Sequence, residues 1–178
     1  MDTDEQRRLV ERAQAGDADA WERLYRAVYS RLRAYAAHHG GLGVADDLVS
    51  ETMSRAVAGV GKFEWLSAGF DAWLVGILRR VCAEHHRRNG HRWRFSPLRP
   101  VVGERQPGED LELAEDHAEV RRAFERLKPA EREVLELRVI ADLSAEDVAA
   151  VLGKTAGTVR TAQSRALAHL RQLMDQST

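Results

Sequence analysis

Apolar residues recur along most of the chain at the three-and-four spacing of amphipathic helices. A first stripe runs Trp21, Leu24, Tyr25, Val28, Leu32, Tyr35 and Ala36, behind a start at Asp17 or Asp19, and Gly40, Gly41 and Gly43 stop it. A second follows through Leu48, Val49, Thr52, Met53, Ala56 and Val57 to Gly59 and Gly61. A third runs Phe70, Trp73, Leu74, Ile77, Leu78 and Val81 and ends near Asn89-Gly90. A short opening helix around Leu9, Val10 and Ala13 can pack on these, because such stripes need one another to leave water.

From Phe95 to Glu112 the periodicity fails. Pro97, Pro100, Gly103, Pro107 and Gly108 punctuate a stretch that turns acidic at Glu109, Asp110, Glu112, Glu115 and Asp116. This predicts a flexible linker over 95–116 between two helical domains, 1–94 and 117–178, with an ordered loop on a single domain as the other reading. The second domain opens with Val120, Phe124 and Leu127, and Pro129 suits the first turn of a new helix. Val134, Leu135, Leu137, Val139 and Ile140 are expected to form that helix's apolar face. Ser144 and Asp147 have capping-box spacing, Gly153 suits a left-handed helix end, and Thr155 can cap a last helix. Val159, Ala162, Ala166, Leu167, Leu170 and Leu173 give that helix its inner face. The predicted fold class is all-α.

Composition narrows the function. The chain has 178 residues, 44% hydrophobic and 31% charged, with a formal net charge of −1, which argues against a protein that coats DNA without specificity. Clustering of charge still permits specific binding. Cys82 is the only cysteine, so no disulfide can form within the chain. The acidic opening at Asp2, Asp4 and Glu5 lacks an apolar signal core, and no apolar run approaches a membrane span. A cytoplasmic protein with no membrane contact of its own is expected.

Two constellations carry chemistry. From Ser144 to Leu170, a short capped helix, a glycine turn and a second capped helix form the pattern of a helix-turn-helix, whose second helix enters the major groove. Thr158, Arg160, Thr161, Gln163, Ser164 and Arg165 lie off the apolar stripe, with Arg138 and Lys154 on nearby turns. These residues mix phosphate-seeking cations with groups able to read bases. An ordinary helical hairpin with a charged solvent face would show the same pattern. The other constellation comprises Arg79, Arg80, His85, His86, Arg87, Arg88, His91, Arg92, Arg94 and Arg99, with Trp65, Phe70, Trp73, Trp93 and Phe95 beside it. Cations that follow a backbone and rings that stack on bases hold single strands, although Phe70 and Trp73 also suit a core.

Arranged this way, the chain resembles an extracytoplasmic-function sigma factor of bacterial RNA polymerase, from roughly Glu5 to Leu173. The resemblance lies in the opening segment Gly16 to Tyr25, in Asp46-Asp47-Leu48-Val49-Ser50-Glu51-Thr52, and in Phe70 to Arg80 with the basic stretch behind it. In the second domain it lies in Leu127 to Leu135, Leu143 to Ala149 and Gly157 to Arg160. It implies that Asp47, Leu48, Glu51 and Thr52 dock on the polymerase β′ clamp helices, and that the chain also meets the β flap. It implies −10 recognition by Lys62, Trp65, Trp73, Arg79, Arg80, Arg87 and Arg88, with the loop from Lys62 to Gly69 capturing a flipped base. It implies −35 recognition by Lys154, Thr158, Arg160, Thr161, Ser164 and Arg165, and control by an anti-sigma factor. Arg80 and Gly76 depart from the family's usual residues near the −10 contacts, and Ser50 departs at the clamp contact.

Three rival readings differ in what they require. A conventional repressor or activator would bind DNA alone, usually as a dimer, and no dimer seam is evident. An enzyme would need a catalytic constellation, and none is found, so neither catalysis nor a cofactor is expected. A pure protein-interaction module shades into the sigma-factor reading. His38-His39 and His85-His86 invite a metal, but adjacent histidines on a helix point to different faces and no set has structural-zinc spacing. No metal site is therefore expected. Cys82 near arginines could sense redox state, though a buried inert thiol is the simpler expectation.

Overall fold

The computed structural model describes residues 1–65, 69–89 and 111–176, the last segment with side chains from residue 119. All regular structure among them is helical. The first unit contains α1 (Thr3–Gln14), α2 (Ala18–Gly40), α3 (Leu42–Gly59), a 3₁₀ turn (Val60–Lys62) and α4 (Phe70–Arg88). The second contains α5 (Leu111–Arg126), α6 (Pro129–Leu135), a π-helical segment (Glu136–Ile140), α7 (Ala145–Leu152) and α8 (Ala156–Asp175). The start of α5 at Leu111 falls inside the stretch expected as linker; the rest of that stretch, with Trp93, Arg94, Phe95 and Arg99, lies outside the described residues.

Local chemistry sets the helix ends. The Asp17 carboxylate accepts the Ala20 N–H at 3.1 Å and starts α2, while Gly41 at φ +88° separates it from α3. Ser144 Oγ accepts the Asp147 N–H at 3.0 Å, and Thr155 Oγ1 accepts that of Thr158 at 3.2 Å. Between these caps α7 ends at Gly153 with φ +64°, where the Lys154 N–H donates to the Ala149 carbonyl at 2.8 Å. This turn sets α8 across α7, completing the helix-turn-helix. Ser144→Ala is expected to cost about 1 kcal/mol, read as a lower urea midpoint at unchanged slope.

One core runs through both units. Leu24, Phe70, Leu74 and Leu78 share it with Leu137, Leu143, Val148 and Val159, all essentially inaccessible to water. A smaller cluster of Phe124, Leu127, Leu135, Ala166 and Leu173 holds α5, α6 and α8 together. The units meet where α7 packs on α4 and the π-helical segment packs on α2.

That segment corrects the expected apolar face after Pro129. The Ala141 N–H donates to the Glu136 carbonyl at 2.9 Å, an i→i+5 bond that fits one extra residue into the turn. Later side chains are thereby displaced from the 3.6-residue period. Val139, expected inside, is 64% exposed, and Glu136 is buried at 1% exposure. Val57, expected on the inner stripe of α3, is also exposed.

Candidate nucleic-acid interface

The six residues expected to face the −35 element form one open surface. Lys154, Thr158, Arg160, Thr161, Ser164 and Arg165 are all exposed on α8 and the turn before it, while Val159 and Ala166 anchor the opposite face. Arg160 pairs with Glu146 across the α7–α8 turn, with both side chains more than half exposed. Such a pair contributes little and leaves the guanidinium available to a phosphate. Two neighbours are otherwise engaged. Arg138 Nε donates to Gln163 Oε1 at 2.8 Å, and the same guanidinium donates to the Leu143 carbonyl, so this pair braces the motif from within.

The residues expected at the −10 element divide by environment. Arg80, Arg87, Arg88 and Lys62 are exposed. Trp73 packs against Phe63 and Phe70, with ring centroids 5.1 and 5.5 Å away. Trp65 is half-buried against Phe63, its indole N–H has no partner among the described residues, and Arg7 lies 5.2 Å over its ring. Arg79 is paired with Glu133 of α6. In this arrangement the second unit therefore occupies one of the expected DNA contacts. Residues 66–68 of the expected base-capturing loop lie outside the described residues.

The expected docking set on α3 also divides. Asp47 and Glu51 stand one turn apart on the exposed face, which Val57 continues. Leu48 is 5% exposed and Thr52 is fully buried, its hydroxyl donating to the Leu48 carbonyl at 2.7 Å. These two hold α3 in the bundle. Arg55 reaches from α3 to both Glu51 and Glu84, and its hydrogen bonds hold the Glu84 carboxyl below the usual carboxylate range.

Sequence reasoning missed the residues that join the units. Glu133 holds Arg79, and Asp147 Oδ1 accepts the Gly69 N–H at 3.0 Å, satisfying an open donor at the start of α4. Glu136 enters the first unit, its Oε1 2.9 Å from His38 Nε2 and its Oε2 3.6 Å from His39 Nε2. The expectation that His38 and His39 diverge is corrected here, because both ring nitrogens turn toward one carboxylate. Burial, helped by the neighbouring His38, His86 and Arg79, pushes His39 down to about 2 and keeps it neutral. A lone glutamate inside the apolar run Val134-Leu135-Glu136-Leu137 was the one sequence signal.

Cys82 lies within the core, and burial pushes its thiol up to about 12. At pH 8 the folded protein is expected to leave Ellman's reagent unreacted, with one thiol appearing on unfolding. Rapid reaction of the native chain would restore a redox role.

The first unit is thus a helical bundle with a basic helix end, and the second carries a helix-turn-helix. Residues 21–92 match the family model for sigma-70 region 2, and residues 117–170 match that for sigma-70 region 4. The chain is 36% identical over 170 residues to the ECF RNA polymerase sigma factor BldN of Streptomyces coelicolor, covering 93% of this chain and 64% of that one. It is 31% identical over 173 residues to the ECF RNA polymerase sigma factor SigD of Mycobacterium tuberculosis, covering 92% of this chain and 81% of SigD. Among solved structures, CnrH in complex with the cytosolic domain of CnrY superposes with a TM-score of 0.72 at 24% identity, covering 98% of this chain and 99% of that one. The sigma factor RpoE in complex with the anti-sigma factor NepR from Bartonella quintana superposes at 0.62 with 28% identity, covering 86% of this chain and 96% of RpoE. The chain belongs to the ECF family of RNA polymerase sigma factors.

Proposed function

We propose that this chain gives core RNA polymerase its promoter specificity by binding alone, without catalysing a reaction. Its first unit docks on the β′ clamp helices through Asp47 and Glu51 and meets the −10 element through Arg80, Arg87, Arg88 and the Lys62–Trp65 turn. Its second unit reads the −35 element through the exposed face of α8 and meets the β flap. The observation that carries this reading is the pairing of two separate nucleic-acid faces with an exposed acidic ridge on α3, in the order of sigma-70 regions 2 and 4.

Binding energy that is larger for melted than for duplex DNA favours opening without hydrolysis. Extruding a base costs a few kcal/mol, which phosphate contacts and a protein pocket offset. In the arrangement seen here Glu133 covers Arg79, so full engagement of the −10 element requires the units to part. A partner that stabilises the closed form or covers the docking ridge would silence the chain, and this is the role assigned to an anti-sigma factor. The setting is the cytoplasm, consistent with the finding that no described helix is long and apolar enough to cross a membrane.

The test is run-off transcription with purified bacterial core polymerase on a genomic promoter library. Discrete protein-dependent transcripts sharing −10 and −35 motifs are expected. Arg165→Ala should reduce them about tenfold or more if the side chain reads a base edge. If Arg165 meets only phosphate, the same change should weaken all promoters alike and flatten the salt dependence. Tight promoter binding by the isolated chain, with no dependent transcript, would favour a repressor or activator.

A further inference from the structure

We propose that His38, His39 and Glu136 form a binding site for a zinc-class divalent transition-metal ion that ties the two helical units together. The inference stands apart from the promoter-specificity reading, because it concerns only what this buried cluster binds.

The three residues offer one ligand atom each within 4.8 Å of one another, and all three side chains are at most 2% exposed. Ligand atoms around a tetrahedral ion with bonds of roughly 2.0–2.1 Å lie about 3.3 Å apart. The two nitrogen-to-oxygen distances, 2.9 and 3.6 Å, fall on either side of that value, so capture asks for an ångström-scale adjustment of the rings. The donors also select the ion. Two imidazoles and a carboxylate suit Zn(II), Co(II) or Ni(II), whereas Mg(II) and Ca(II) take oxygen alone. A fourth position is left for water.

Charge supplies the second argument. A carboxylate withdrawn from water needs a compensating positive charge. Among the described residues the two histidines are the only basic groups within ion-pair distance of Glu136. A divalent cation seated between them would supply that charge. The Tyr35 ring lies tilted 4.4 Å from the His39 ring and Phe124 lies edge-on 6.1 Å from that of His38, so aromatic rings flank the site. Because Glu136 is the second unit's ligand and the histidines are the first unit's, a bound ion would hold the units closed over Arg79.

The experiment is calorimetric titration of the EDTA-stripped full chain with Zn(II), with X-ray absorption on the loaded, otherwise unaltered protein. One ion per chain, a spectrum fitted by two imidazoles and oxygen donors without sulfur, and at least about tenfold weaker binding in Glu136→Gln are expected. Stripping the metal should increase the radius of gyration in solution scattering. The absence of saturable binding would overturn the proposal. So would binding that is unchanged in Glu136→Gln and lost in His85→Asn/His86→Asn, which would place the ion at the surface. The absorption spectrum is read on the unaltered chain, so a variant that fails to fold does not decide the outcome.

Discussion

Reversing Asp47 and Glu51 together to lysine is expected to weaken binding to core RNA polymerase by about 100-fold or more while leaving the helices intact. Both carboxylates are exposed and stand one turn apart on α3, so a partner can meet them at once. Their replacement should not disturb the bundle, since Ala45, Leu48, Val49, Thr52 and Ala56 hold α3 from its other side. Two reversals, each costing about 1.4 kcal/mol or more through like-charge contact, give the stated factor. Glu51 also bonds to Arg55, so the Asp47→Lys change alone is the cleaner measure of docking. Fluorescence anisotropy of labelled protein titrated with core enzyme reads the affinity, and circular dichroism reads the fold. Unchanged affinity in the folded double variant would move the docking surface away from α3.

That ridge illustrates what can be read from a sequence and what cannot. The run from Asp46 to Thr52 resembles a docking segment, but only the bundle shows that neighbouring positions serve different ends. Asp47 and Glu51 face solvent, whereas Leu48 and Thr52 fix the helix that presents them. The α8 surface was more legible, because capping residues, a left-handed glycine and an apolar stripe are all local signals. The contacts between the units were hidden. Glu136 lies 98 residues from His38 in sequence, and a π-helical insertion changes which side chains of its turn face inward. Neither long-range juxtaposition nor a local change of helical period can be found by counting threes and fours.

The closed arrangement joins these findings. Arg79–Glu133, Asp147–Gly69 and the Glu136 cluster all lie on the junction between the units, and each replaces water around a polar group with a partner from the other unit. Beside these polar pairs the junction shares the apolar core, so parting the units also exposes Leu137, Leu143, Val148 and Val159 to water.

Phe70→Ala should produce the largest loss of stability, about 3–5 kcal/mol, by emptying the centre of the first unit's aromatic cluster. Phe70 is fully buried at the first position of α4, with Trp21, Phe63 and Trp73 around it at 6.2, 5.6 and 5.5 Å between ring centroids. Those neighbours belong to α2, the segment after the 3₁₀ turn and α4 itself, so no one of them can fill the space without drawing its own element out of place. Part of the cost is the transfer free energy of the deleted ring, and part is the dispersion attraction that its neighbours forfeit when they face a cavity. Tryptophan emission from Trp21, Trp65 and Trp73, followed through urea unfolding, reads the loss as a lower midpoint. The effect should also reach the proposed −10 surface, because Trp65 rests on Phe63, which rests on Phe70. Phe70→Leu, which keeps most of the volume, should restore most of the stability. A Phe70→Ala protein as stable as the parent would show that the cluster can collapse around the gap, and that α4 is held chiefly by Leu74 and Leu78.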